Sequence, residues 1–137
     1  AATPLRGLAH LHNLTFTLLI APTTTPDRIK QIAELCTGFI YLLARVGITG
    51  ESNELDTSGL RERVDLIRQH TDLPIAVGFG ISRAEHVAAV AKVADAAIVG
   101  SALVRRMAGP DTVPAAESFI RQLSSGCPQA ASQNRTV

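Results

Sequence analysis

The sequence predicts an α/β fold with parallel strands, and three observations carry that expectation. Short apolar runs rich in β-formers recur at Leu14–Ala21, Phe39–Leu43, Pro74–Val77 and Ala96–Val99. Each is followed by a stretch whose apolar residues fall three and four apart, the spacing of one helix face. The alternation of the two patterns is that of βα units, which build parallel sheets. Composition agrees: 46% of the 137 residues are hydrophobic and the mean hydropathy is +0.19, enough for the core of one domain and too much for wholesale disorder.

Each element has a local reason. Leu5, Leu8, Ala9 and His12 share helical spacing, so Thr3–His12 reads as a short helix in front. The first strand, Leu14–Ala21, stops at Pro22; Thr25 is a good N-cap and Pro26 suits the first turn of a helix through Ile29, Ile32, Ala33 and Cys36. Gly38 is placed to end that helix. The second strand, Phe39–Leu43, runs into a polar segment, Ala44–Ser58, far longer than the roughly 2–6 residues usual between strand and helix. A helix over Gly59–His70 follows, with Leu60, Val64, Leu66 and Ile67 inward and Arg61, Glu62, Arg63 and Asp65 on an exposed face. After the third strand comes Gly78-Phe79-Gly80-Ile81. Ser82 and Glu85 are spaced as a capping box, so a helix is expected right after Gly80, running to about Val93. The fourth strand meets Gly100-Ser101 and then helices over Ala102–Met107 and Pro114–Leu123. Residues 1–123 read as one domain and residues 124–137, with Gly126 and Pro128, as a polar, disordered tail.

Charge and composition exclude several classes. Thirteen basic and twelve acidic residues give a net charge of +1, which offers no electrostatic footprint for nucleic acid and no polybasic membrane patch. Aromatic residues are 4% with no Trp, too few for a base-stacking platform. No apolar run approaches the roughly 20 residues that span a bilayer, and the first residues show no secretory pattern. Cys36 and Cys127 form no framework, so a reduced cytoplasmic setting is expected. His10, His12, His70 and His86 have no metal-ligand spacing, and no nucleophilic triad can be assembled.

The chemistry is expected at two glycine-bearing strand ends. Gly78-Phe79-Gly80 closes one strand and opens a helix, and Gly100-Ser101 does the same for the next strand. Glycine lets backbone approach a ligand, and N–H groups at a helix start attract an oxyanion. Neighbouring parallel strands ending this way would surround one phosphate, with Ser101 adding its hydroxyl; the plain alternative is a pair of tight turns. The full G-x-G-x-x-G dinucleotide pattern is missing. In the Ala44–Ser58 segment, Gly47 and Gly50 give hinge freedom to a loop whose Thr49 could close over a ligand; a solvated insertion is the alternative. Tyr41 and Phe79, near strand ends, either sandwich a flat apolar ligand or belong to the core.

Three stretches, Phe39–Gly50 (FIYLLARVGITG), Asp72–Ser82 (DLPIAVGFGIS) and Ala94–Val104 (ADAAIVGSALV), together with LIAPTTTPDRIKQIAE at Leu19–Glu34, resemble the tryptophan synthase alpha chain, and the likeness runs from about residue 3 to 107. The resemblance implies a partial (β/α)8 TIM barrel comprising its last four βα units, since a complete barrel takes about 250 residues. It implies aldol cleavage of indole-3-glycerol phosphate to indole and glyceraldehyde 3-phosphate, with indole passing to a beta subunit that carries the PLP; no cofactor is implied for this chain. By the same resemblance Gly50, Gly80, Gly100 and Ser101 hold the substrate phosphate, Tyr41, Thr49 and Phe79 line the indole pocket, and Arg45–Gly50 belongs to a closing loop. Ala44 stands where a serine is often found. The family's catalytic Glu and Asp fall in the first half of the barrel and have no counterpart here, so inactivity of these residues alone is expected. Two open barrel edges imply self-association unless another half closes them. Alternative readings are a non-catalytic phosphate-binding half-barrel and a different phosphate-binding barrel enzyme.

Overall fold

A computed structural model describes residues 3–44, 57–78 and 80–128. The order is α1 (Thr3–Leu11), β1 (Leu19–Ile20), α2 (Pro26–Leu35), β2 (Ile40–Leu43), α3 (Thr57–Arg68), β3 (Ile75–Gly78), α4 (Ala84–Ala91), β4 (Ala96–Ile98), α5 (Ser101–Arg106) and α6 (Thr112–Ser124). The strands pair in parallel in the order β1-β2-β3-β4. Strand order never reverses, which is the winding of a barrel; a doubly wound sheet would switch direction at a midpoint.

Register sorts the side chains into two faces. Ile40 lies beside Ile75 and Leu42 beside Val77. These four and Ile20 are buried and pack on Ile29 and Ile32 of α2, Val64 and Ile67 of α3, and Val87 and Val90 of α4. The period-two alternation of strands puts Leu19, Tyr41, Leu43, Ala76, Gly78, Ala96 and Ile98 on the other face, the side that becomes the interior of a closed barrel. Leu19 is 48% exposed there.

Several boundaries differ from the sequence expectation. The first strand is Leu19–Ile20 only. Leu14 serves instead to stop α1: Asn13 takes a left-handed φ of 54°, its N–H donates to the His10 carbonyl and the Leu14 N–H to the Ala9 carbonyl, a Schellman closure. Phe16 then makes an antiparallel bridge to Thr37, which the parallel strand cannot include. Thr25 is the N-cap of α2 as expected, though its hydroxyl caps nothing; its carbonyl accepts the Ile29 N–H at 2.9 Å. The helix ends at Leu35 with Cys36 as C-cap, so Gly38 does not terminate it. Gly38 has φ +104° and a Cβ there would come within 2.9 Å of the Thr15 Cβ, so glycine answers to the turn into β2.

At the N-terminal end of β3, Asp95 Oδ2 accepts the Ile75 N–H at 2.8 Å and the Arg68 guanidinium at 3.1 Å, while the Asp95 N–H donates to the Ile75 carbonyl. This staple ties α3, β3 and the start of β4 together.

Candidate phosphate end of the sheet

The C-terminal ends of the strands lie along one rim. Gly78 pairs with Ile98, so Gly80 and Gly100, each two residues past that pair, leave neighbouring strands on the same rim. Gly80 has φ +80°, a left-handed conformation that favours glycine. Gly100 is the N-cap of α5, and its carbonyl accepts the first helical bonds from Leu103 at 2.9 Å and Val104 at 3.1 Å. The amides that open α5 thus precede its ladder, and Ser101, its first residue, is exposed. A Cβ built on Gly100 would meet nothing within 4 Å.

Tyr41 lies on the barrel-interior face. Its ring leans along β2 over Gly78, where an added Cβ would come within 2.8 Å of Tyr41 Cζ. Gly78 therefore makes room for the aromatic ring, and the half-buried Tyr41 is held at the rim instead of being absorbed by the helix-side core. Arg45, Thr49, Gly50 and Phe79 lie outside the described residues.

The capping box expected from Ser82 and Glu85 does not form, and the helix starts later than expected. Arg83 is the N-cap of α4, with no side-chain cap bond, and His86 takes the third helical position expected of Glu85. His86 is 5% exposed, and its Nδ1 accepts the Ser82 N–H at 3.3 Å. Burial explains the exchange: the third position faces the core, where an imidazole is tolerated far better than a glutamate charge. Periodicity could have found His86, since it falls on the stripe of Val87 and Val90.

Arg63 also departs from expectation. It is half-buried and its guanidinium donates to the Thr24 carbonyl at 2.8 Å and the Ala21 carbonyl at 3.4 Å. It thus binds α3 to the segment after β1, beside a cleft lined by Pro22, Leu43, Ala44 and Leu60. Spacing gave a signal, because Arg63 adjoins Val64 and lies three residues from Leu60.

Elsewhere, burial pushes the Cys36 thiol up, against the Leu18 N–H that its Sγ accepts at 3.2 Å, and the side chain is packed in the core. Among the described residues no three His, Cys, Asp or Glu side chains gather as a metal site, and no helix is long and apolar enough to cross a membrane.

The family model of the tryptophan synthase alpha chain matches residues 1–131. The chain belongs to the tryptophan synthase alpha chain family. A tryptophan synthase alpha chain of Chloroflexus aggregans is 46% identical over 127 residues, covering 90% of this chain and 47% of that protein. One from Neisseria meningitidis serogroup B is 51% identical over 89 residues, covering 65% and 34%. Among solved structures, tryptophan synthase subunit alpha from Campylobacter jejuni superposes with a TM-score of 0.79 at 34% identity, covering 89% of this chain and 48% of that one. Tryptophan synthase of Mycobacterium tuberculosis gives 0.78 at 29% identity, covering 94% and 48%. The chain thus spans under half the length of these relatives, and its fold is four βα units of the family's (β/α)8 barrel.

Proposed function

We propose that these residues form the phosphate-holding half of a tryptophan synthase alpha active site, which cleaves indole-3-glycerol phosphate to indole and glyceraldehyde 3-phosphate. The observation that carries this reading is the Gly78–Ile98 register, which puts the strands that lead into Gly80 and Gly100 next to each other, and that end of the strands is where (β/α)8 enzymes bind phosphate. Amides of Gly80, Gly100 and Ser101, with Gly50, would take the phosphate; Tyr41, Thr49 and Phe79 would flank the indole, and Arg45–Gly50 would close over it. Such a half positions substrate but moves no proton. Proton transfer at the indole ring and the glycerol hydroxyl needs placed acid and base groups, and in this reading the family's Glu and Asp supply them from the other half of the barrel. No cofactor enters this half-reaction, and the indole leaves toward a PLP-bearing beta subunit.

Complementation tests the proposal. The 137-residue chain is mixed with a separately produced first half of an alpha-chain barrel, and indole release is followed from indole-3-glycerol phosphate. Indole is expected only from the mixture. Tight binding of glycerol phosphate without indole from any mixture would instead support the second reading, a non-catalytic half-barrel that self-associates; the exposed Leu19 on the interior face is what favours keeping it.

A further inference from the structure

We propose that His86 is a positioning residue for the phosphate rim, acting on the Gly80–Ser82 turn through the backbone amide of Ser82. The proposal rests on the phosphate reading for its consequence and on the α4 geometry for its substance. In a capping box, the side chain at the third helical position reaches back to an otherwise unpaired N–H ahead of the helix. Here that side chain is His86, and the N–H it reaches is that of Ser82, one residue ahead of the N-cap. Ser82 stands two residues past Gly80, whose left-handed φ of +80° turns the chain away from β3. The bond therefore fixes the far side of that turn, while the β3 ladder fixes the near side.

The chemistry of the ring is constrained. Accepting at Nδ1 requires the unprotonated nitrogen, so in this tautomer the ring hydrogen sits on Nε2. Arg83 Nη2 lies 3.4 Å from Nε2 and carries hydrogens of its own, so it cannot donate there in the same tautomer. Burial fixes the ring further: His86 is the buried polar side chain of a helix face otherwise made of Val87 and Val90. A glutamine can reproduce the reach and the acceptor, since Glu and Gln are the usual residues at this place. A leucine can reproduce only the volume.

The test compares wild type with His86→Gln and His86→Leu in the full 137-residue chain. Hydrogen exchange is read by mass spectrometry at Ser82, with residues 40–43 of β2 as the reference for global opening, and inorganic phosphate is titrated calorimetrically. His86→Leu is expected to speed Ser82 exchange about 2- to 10-fold, the value of one net hydrogen bond, with exchange in β2 unchanged and phosphate affinity lowered by a similar factor. His86→Gln is expected to restore both. Equal Ser82 exchange in wild type and His86→Leu overturns the proposal, as does failure of Gln to rescue. Wild-type chain that binds no phosphate refutes the phosphate reading separately, and Ser82 exchange then decides the role of His86.

Discussion

Two glycines on the rim answer to different causes, and the difference can be measured. Gly78 answers to its neighbour: a Cβ there would press on the ring of Tyr41, which would have to move. Gly78→Ala is expected to cost about 1–3 kcal/mol, the usual penalty of overpacking, in urea unfolding. Tyr41→Leu in the same chain removes the opposing ring, so the double variant should recover at least about 0.5 kcal/mol beyond additivity; strict additivity would refute the contact. Gly100 faces open space, so Gly100→Ala should cost under about 1 kcal/mol, the scale of an N-cap change. If the space beside Gly100 is where a dianion sits, the added methyl lowers phosphate affinity while the fold stays intact. Loss of stability with unchanged phosphate affinity would show the reverse assignment.

At the scale of elements, the N-terminal end of β3 is held by a charge. The Ile75 N–H is the main cause holding the Asp95 carboxyl below the usual aspartate range; burial works against it, and the Arg68 guanidinium assists. A carboxyl lowered in the folded state stabilises fully above the unfolded value, about 3.9, and the contribution fades as pH falls through the lowered folded value. Asp95 is 42% exposed at its side chain, so solvent screening keeps the effect small. Asp95→Ala should lose about 1 kcal/mol in urea unfolding at pH 7, and the gap from wild type should narrow steadily below about pH 4. A gap that stays constant down to pH 2 would refute the charge assignment. The place of Asp95 at a strand's N-terminal end is local information, because it directly precedes an apolar run, while its partners Ile75 and Arg68 are distant in sequence. The βα alternation and the glycine-bearing ends of β3 and β4 were legible for the same reason, since periodicity and glycine placement are local. What was not legible depends on partners distant in sequence. Phe16 pairs with Thr37 and cuts the first strand short, Arg63 reaches carbonyls 39 and 42 residues away, and burial puts His86, not Glu85, at the third position of α4.

Among the described residues, apolar surface is exposed on α1, on α6 and on the interior face of the sheet. On one flank, α1 buries none of its residues and exposes Leu5, Leu8 and Leu11 at helical spacing. On the other, α6 exposes Val113 and Ile120, which with Met107 and Ala116 line an apolar groove. Between them, β1 and β4 are the edges of the described sheet, and the interior face shows Leu19. Unpaired edges and a broad apolar surface drive association. Because the exposed stripes sit at opposite flanks, one partner that pairs with both edges must reach around the open side, as four further βα units do in the relatives twice this length. The 137-residue chain by itself is therefore expected to sediment above its monomer mass of 14.5 kDa. Leu8→Glu and Ile120→Glu, each on an exposed face and each adding a charge to a different flank, should shift it toward monomer without lowering its helix content. Addition of a first-half barrel should do the same by competition, giving a one-to-one complex. A chain that sediments as a cooperative monomer at high concentration, unchanged by either substitution, would show that these flanks attract nothing.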